Sequence, residues 1–503
     1  MASEDLEFRL TMPRAALDRF RRRSRLRQLS VSEPATRKRL TVYYDTPDLD
    51  LHRAGLSLRV RREGRRWVQV LSLAPPEHGG SNETAEIECP VASAVPEFTR
   101  VPDRPARQRL KEVLAGRRLS PVFETDVWRT TRRLAVNGKI VVDLAVDRGE
   151  IRAGRHRRLI NEVELAIDPA SADSVLHAAE ILFGDQPVAR VEQTRTELGY
   201  ALLKIGGNVS ASVVPRRRAK VVISPEMDAR GALAAVALPN CVQVLENWDR
   251  TLCSCDPSGP HQMRVALRRL RTAIRLLRGA LDTPELRRFA TEARDLARIV
   301  GRLRDADVFI MEICEPATAH GKDALSSSLH AYRETTRADV RSALADRRWA
   351  RFRLKCMFFE QLVATAEGGM SGVEALSRKA LSKSWRRVKD WGRRIDVLTI
   401  DERHEMRKDM KSLRYATEFF MGLYLEDKTA PFLKQLKRLQ DVFGYLNDVA
   451  TAARIPEVLP TDARYARQAA GEVLAWHETR AAEQWAEAKS RWKSLAAVPR
   501  FWK

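Results

Sequence analysis

One stretch of this chain is written twice. His261-Gln262-Met263-Arg264, followed by Arg268, Leu270, Arg271 and Ala273, returns as His404-Glu405-Met406-Arg407, followed by Lys411, Leu413, Arg414 and Ala416. Further on, Leu296, Gly301, Leu303 and Asp305 return as Leu439, Gly444, Leu446 and Asp448. Every pair lies 143 residues apart (261 to 404, 305 to 448), with no gap. Chance does not hold one offset over such a length. The C-terminal half is therefore expected to be two related helical bundles, packed pseudo-symmetrically as one domain.

The first copy shows what such a helix offers. Met263, Leu267, Leu270, Ile274, Leu277 and Leu281 recur at three- and four-residue steps and form a buried stripe. His261, Arg264, Arg268, Arg271, Arg275 and Arg278 follow the same steps, rotated by one residue. Their side chains stack along one edge at about 5–6 Å spacing. The second copy repeats the row with His404, Arg407, Lys411 and Arg414, with Lys408 alongside. A solvated helix face usually mixes Glu with Lys, because like charges at this spacing repel. The first helix has no acid from His261 to Leu281. Such a row makes sense when a polyanion relieves the repulsion. The two histidines can be helix N-terminal hydrogen-bonding residues, phosphate donors, or both, and bound phosphate would favour their charged form.

The whole chain agrees with an anionic partner. Its 503 residues carry a formal net charge of +23 at a pI of about 10.2, which concentrates nucleic acid, anionic membrane or polyphosphate without choosing among them. With 44% hydrophobic residues, the length suits roughly two to four packed domains. No apolar run approaches the roughly 18 residues of a membrane span, and MASEDLEFRL lacks the apolar core of a signal peptide. Six cysteines without a CxxC pair read as reduced thiols, so a cytoplasmic protein is expected, without a membrane partner. Cys253 and Cys255 form a lone CxC with no further ligands at zinc-site spacing. Nucleic acid is the less favoured polyanion, because no aromatic residues interleave with the arginine rows for base stacking.

The paired His-x-Met-Arg helices and paired Gly-x-Leu-x-Asp segments resemble the CHAD family, over about residues 222–500. The resemblance implies two pseudo-symmetric bundles around a central basic groove that binds inorganic polyphosphate, and association with polyphosphate granules. The positions that carry this role are His261, Arg264, Arg268, Arg271, Arg275, His404, Arg407, Lys408, Lys411 and Arg414. It implies no nucleophile or general base.

Before about residue 205 the period is different. Alternation appears at 5–10, 56–61, 67–73, 143–147 and 162–165, with further strand candidates at 40–44, 84–89 and 122–134. Turn signals such as Asn137-Gly138 and Arg148-Gly149 join them, and helical stretches interrupt near 13–29 and 170–183. An eight-stranded antiparallel barrel would remove the sheet edges. Residues 204–221, rich in Gly, Ser, Pro and basic residues, read as a linker between domains 1–203 and 222–503. The fold class is thus an α+β chain, with a β tunnel before an all-α domain. Asp5, Glu7 and Arg9, Glu162 and Glu164, and Arg59 and Arg61 each share one face of a strand. Together they suggest a charged interior in which carboxylates hold Mg²⁺ or Mn²⁺ and arginines hold phosphate oxygens.

Tyr43-Tyr44-Asp45-Thr46-Pro47-Asp48 followed by Leu58-Arg59-Val60-Arg61 resembles the CYTH family of triphosphate tunnel metalloenzymes, over about residues 3–203. So do Phe123-x-Thr125-x3-Arg129, Asp147-x-Gly149 and Glu162-x-Glu164-Leu165. The opening Glu-x-Glu-x-Lys signature stands here as Asp5-x-Glu7-x-Arg9. The resemblance implies metal ligation by Asp5, Glu7, Asp147, Glu162 and Glu164, with Glu7, Glu162 and Glu164 central to hydrolysis. It also implies phosphate contact by Arg9, Arg59, Arg61, Arg129 and Arg195. Departures weaken the catalytic side: Ser72, Thr84 and Leu198 stand where the family has cations, and Ala166 where it has an acid. Arg65, Arg66 and Lys139 are candidate replacements. A charge-assisted hydrogen bond contributes about 1.5–3 kcal/mol, so three losses in the transition state would remove several powers of ten in rate. The expected function is polyphosphate binding with a substituted, weakly active tunnel. The alternative is a divalent-metal-dependent inorganic triphosphatase that splits tripolyphosphate to pyrophosphate and phosphate.

Overall fold

The computed structural model describes residues 6–73, 85–136, 138, 140–167, 175–191, 193–204, 223–364, 366 and 372–503. Asp5, Thr84, Lys139, His78 and nearly all of the linker lie outside them. The chain forms two compact units, Met1–Arg216 and Arg217–Lys503.

The first unit is built on strands β1 Leu6–Thr11, β2 Ala35–Asp45, β3 Leu56–Glu63, β4 Arg66–Leu73, β5 Ala85–Val91, β6 Ser120–Val136, β7 Ile140–Ala153, β8 His156–Ile167 and β9 Ala189–Arg190. Its helices are α1 Arg14–Arg21, α2 Ser24–Leu29, α3 Asp50–Arg53, α4 Arg104–Leu114, α5 Val175–Phe183 and α6 Arg195–Lys204. The strands form one antiparallel sheet in the order β5-β4-β3-β2-β6-β7-β8-β1-β9. The sheet thus has nine strands, not eight. The extra one, β9, is two residues long, too short for alternation to show. No ladder joins β5 to β9 among the described residues, so the barrel is not closed by a hydrogen-bonded seam there.

Pleat alternation sorts this sheet in an unusual sense. Leu58, Val60, Val142, Leu144, Val146, Val163 and Leu165 point to one face and are buried. On that side α4 supplies Ala106, Leu110 and Leu114 over β3, while Phe20 of α1 stacks on Phe183 of α5 at 5.3 Å. The other face carries the charges. Burial would raise the Glu86 pKa, but Arg59 and Ser72 lower it, with a smaller contribution from Arg9 of β1, so β5 and β1, far apart in strand order, lie near each other and the charged face curls inward.

Arg148-Gly149 is not a turn: β7 runs straight through it, and the chain reverses at Gly154, whose φ is 56°. Gly149 is required by close approach. A Cβ there would lie 2.0 Å from the Asp126 carbonyl oxygen and 2.7 Å from Val127 Cα on β6. Gly149→Ala is therefore expected to destabilise this unit by about 1–3 kcal/mol, read as a lowered thermal midpoint.

The second unit is all helical among its described residues: α7 Ala229–Cys253, α8 Ser258–Leu277, α9 Pro284–Val308, α10 Lys322–Leu344, α11 Arg348–Met357, α12 Phe359–Ala364, α13 Val373–Gly392, α14 Ile400–Phe420, α15 Glu426–Ala452, α16 Ile455–Val458 and α17 Arg464–Ala497. Shifting by 143 places α7, α8, α9 and α10 onto α13, α14, α15 and α17, so the repeat spans four helices per copy. Met263, Leu267, Leu270, Ile274, Leu277 and Leu281 are all buried, as the stripe predicts. Helix starts are encoded locally: Thr399 and Glu402 form a reciprocal capping box on α14, and Thr283 caps α9 ahead of Pro284. The crossing of α8 and α14 keeps the twofold relation in its side chains. Arg275 donates to Ser412 at 2.6 Å, and the counterpart positions, Glu418 and Arg269, also pair. Arg269 is 1% exposed and lies over the rings of Tyr415 and Phe419.

Candidate functional site: two polyanion-binding faces

Strand register assembles the inner face of the sheet. Arg9 lies opposite Glu164, Glu162 opposite Asp147, and Asp147 opposite Arg129, across β1, β8, β7 and β6. Arg59 and Arg61 project from β3 on the same side, opposite Tyr43 and Thr41 of β2. Arg195 enters from the first turn of α6. Arg129 grips Asp147 with two bonds of 2.8 and 2.7 Å and Glu164 with bonds of 3.2 and 2.9 Å. Arg195 bonds to Glu162 at 2.6 Å and also to Asp147. Arg9 approaches Glu164 at 3.2 Å. Burial alone would raise the Asp147 pKa, but the hydrogen bond from Arg129 and the charge of Arg195 reverse this and hold it below the ordinary carboxylate value.

Arg59 donates to Ser72 at 2.8 Å and to Glu86 at 2.9 and 2.8 Å, so the substituted Ser72 sits inside an ion-paired cluster. Arg61 pairs with Glu63 at 2.8 Å and with Glu88 at 3.3 Å. Leu198 has become part of an apolar plug with Tyr43, Phe123, Ile151 and Tyr200 at one end of the charged face. Arg65 and Arg66 are exposed, at the β3–β4 turn. The added cation is Arg39 on β2, which the sequence reading passed over. Its pKa is lowered by burial and by Arg129 and Arg61 beside it. The alternation Arg37-Lys38-Arg39 ahead of Leu40 was its signal.

Glu7, Glu162 and Glu164 share this face, with Ala166 opposite Glu7. Among the described residues, no three His, Cys, Asp or Glu side chains converge as a metal site requires. Asp147, Glu162 and Glu164 are occupied by guanidinium groups. As arranged, this donor set does not fit a pre-formed Mg²⁺ or Mn²⁺ site.

In the helical unit, a groove of about 970 Å³ opens between the two copies. Its basic lining includes His261, Arg264 and Arg268 from α8, Arg304 from α9, and Arg403, His404, Arg407 and Lys411 from α14, with Arg454 beyond α15. Arg264 is held by Asp305 at 2.9 Å, and Arg407 approaches Asp448 at 3.8 Å, the same contact in each copy. The acids of the Gly-x-Leu-x-Asp segments therefore aim the arginines. The Arg264 guanidinium lies against α9 at Gly301, where a Cβ would still make only an ordinary van der Waals contact of 3.5 Å with its Cζ. Among the described residues, Arg268 and Lys411 have no salt-bridge partner, and Arg407 Nε is buried without a hydrogen-bond partner.

The two copies differ in what faces the histidine. His404 Nδ1 lies 2.7 Å from Asn447 Oδ1, whereas the position matching Asn447 is Arg304, beside His261. Burial, then Arg304, Arg268 and Arg264, push His261 down to about 4. Burial, then Arg268, Arg407 and Arg264, push Lys411 down to about 5, with Asp448 opposing.

Four of the ten positions expected to contact polyphosphate do not line the groove: Arg271, Arg275, Lys408 and Arg414. Arg271 faces Arg294 and Arg298, Arg275 reaches Ser412, Lys408 pairs with Glu405 at 2.5 Å, and Arg414 pairs with Glu418 at 2.8 Å. The stripe is straight, but residues 264 to 275 span about 16 Å along the axis, past the groove and into the helix crossing. Trp492 and Trp502 are core residues, and Trp476 packs against the core. Trp485 instead joins the groove wall, its ring covered by Arg403 at 3.7 Å. His477, unassigned from sequence, is buried between the Tyr445 hydroxyl and the Ile313 carbonyl. The six cysteines are free.

A curled sheet with a charged lining and a twofold helical unit with a basic groove define a two-domain α+β protein. Residues 5–200 match the CYTH domain and residues 236–455 the CHAD domain, so the chain carries a CYTH domain followed by a CHAD domain. A stretch of 165 residues is 24% identical to a protein of Haemophilus influenzae named inorganic triphosphatase, covering 32% of this chain and 44% of that relative. The crystal structure of the CHAD domain from the plant Ricinus communis aligns with 24% identity over 57% of this chain and 98% of that one, at a TM-score of 0.51. It shares the fold of the helical unit.

Proposed function

We propose that the helical domain binds inorganic polyphosphate along its groove, and that the sheet domain holds a tripolyphosphate-type anion on its inner face with little or no turnover. The carrying observation is the state of the groove cations. Among the described residues, Arg268 and Lys411 lack carboxylate partners, and Arg407 carries an orphaned buried donor. Such a cluster is self-repelling until an anion lies in it. Arg264 and Arg407, aimed by their aspartates from opposite copies, would grip phosphates on the two sides of one chain. A polyphosphate granule, being a dense store of that polymer, is a fitting partner for the same groove. No described helix is long and apolar enough to cross a membrane.

The sheet domain supports binding better than hydrolysis. Its arginines would exchange carboxylate partners for phosphate oxygens, while among the described residues its acids present no assembled metal site. The second reading is an inorganic triphosphatase, favoured by the name of the Haemophilus influenzae relative. Incubating the full chain with tripolyphosphate and Mg²⁺ or Mn²⁺ separates the two. The expected result is phosphate release near background, unchanged in Glu7→Ala. Rapid release that Glu7→Ala abolishes would establish the enzyme instead.

A further inference from the structure

The groove is cationic in composition, yet its two inner titratable groups sit where a proton is hard to keep. The repeat places Lys411 where the first copy has Arg268. That exchange matters chemically, because guanidinium does not lose its proton in a protein, whereas an ammonium among like charges does. Lys411 is the one lysine in the groove wall.

Every element packed around it contributes to its field. Arg264 and Arg268 face it from α8, with His261 one turn earlier. Arg407 lies one turn back on α14 itself, and Asp448 on α15 opposes these like charges. Arg304 and Asp305 of α9, Asp401, Arg403 and His404 of α14, Arg454 ahead of α16 and Glu478 of α17 make up the rest of the charged groove lining, and Asp305 already holds Arg264.

We propose that the groove takes up polyphosphate together with a proton, which is captured by Lys411, so that the anion creates part of the positive charge that binds it. This inference rests on the reading of the groove as a polyphosphate site. In the empty groove, burial and the facing arginines favour the neutral forms of Lys411 and His261. A phosphate chain laid along Arg264 and Arg407 reverses the local potential, and the Nζ lone pair then takes a proton from solvent. A highly charged polymer can supply that reversal, while a sparsely charged anion leaves Lys411 neutral. Lys411 thus favours high linear charge density.

The sign of the pH dependence follows. The bound complex holds a proton that the free protein lacks between about pH 5 and the value restored by the anion. Affinity therefore rises as pH falls across that window, by up to about tenfold per pH unit per proton, and levels off below it.

Titration calorimetry of the full chain with long-chain polyphosphate, in two buffers of different ionisation enthalpy at one pH near neutrality, counts the protons. The expected result is net uptake of about one proton or somewhat more, which falls by about one in Lys411→Arg while binding is kept. Terminal phosphates near cations would release protons, so the sign excludes them as the source. If Lys411→Arg does not fold, Lys411→Met serves, with weaker binding and the same loss of uptake. Polyphosphate binding with no proton uptake by the unmodified protein, or uptake unchanged in either variant, overturns the proposal and leaves polyphosphate binding intact. Absence of binding, checked by retention of the protein on immobilised polyphosphate, overturns both.

Discussion

Replacing Arg264 and Arg407 together with glutamine is expected to weaken polyphosphate binding at least a hundredfold. These side chains are the pair that the twofold repeat aims into the groove, each by its own aspartate, Asp305 and Asp448. Two charge-assisted contacts at about 1.5–3 kcal/mol each give an expected loss of at least about 3 kcal/mol. Glutamine is shorter than arginine but keeps hydrogen-bonding capacity without the charge, so the loss would report the charged guanidinium contacts. The double variant should also show a shallower dependence of affinity on salt, because fewer phosphates are neutralised. A matched variant of Arg271 and Arg275, outside the groove, should bind almost as the unmodified protein does. Binding isotherms across a salt series measure all of this. An unchanged affinity in the folded Arg264/Arg407 double variant would remove the groove from consideration. Tighter binding of RNA than of polyphosphate at equal phosphate concentration would move the assignment to nucleic acid.

The second large effect is on stability. Asp147 is 1% exposed and accepts hydrogen bonds from both Arg129 and Arg195. Asp147→Ala would leave two largely buried guanidinium groups short of a counter-charge. Removing one partner of a buried ion pair destabilises by about 3–5 kcal/mol. Thermal melts of the full chain should show the sheet unit unfolding at a clearly lower temperature, with the helical transition in place. The pH dependence follows from the direction of the shift. The folded-state pKa of Asp147 is depressed, so its contribution is fully present above its unfolded value near 4. It is lost as pH falls below that, through the lower folded value. Acid unfolding of the sheet unit in the unmodified protein should therefore begin below about pH 4, and Asp147→Ala should flatten that limb of the stability profile. An unaltered melt in Asp147→Ala would mean that Glu162 and Glu164 alone hold the two arginines.

How much of this was written in the chain depends on the range of the forces involved. The apolar stripe from Met263 to Leu281, the arginine row beside it and the 143-residue repeat are periodic features, and the local geometry of a helix turns them into faces without help from distant residues. Alternation on β1, β3 and β8 likewise told which side chains share a face. Nothing local told that Asp305 orients Arg264, that Arg39 joins Arg129 and Arg61, that Leu198 closes an apolar plug, or that Trp485 leaves the core for the groove. Each of these is a meeting of residues from different elements.

The sequence by itself therefore determined the two domain types, the helical and strand faces, and the abundance of cations presented to a polyanion. Tertiary structure alone decided which cations remain unpaired. In the sheet, the curl brings Arg129 and Arg195 onto Asp147, Glu162 and Glu164, and their charges are satisfied internally. In the helical unit, the crossing of α8 and α14 crowds Arg268 and Lys411 together without a salt-bridge partner among the described residues. Coulomb energy depends on separation and surrounding dielectric, and neither is fixed until the chain has folded.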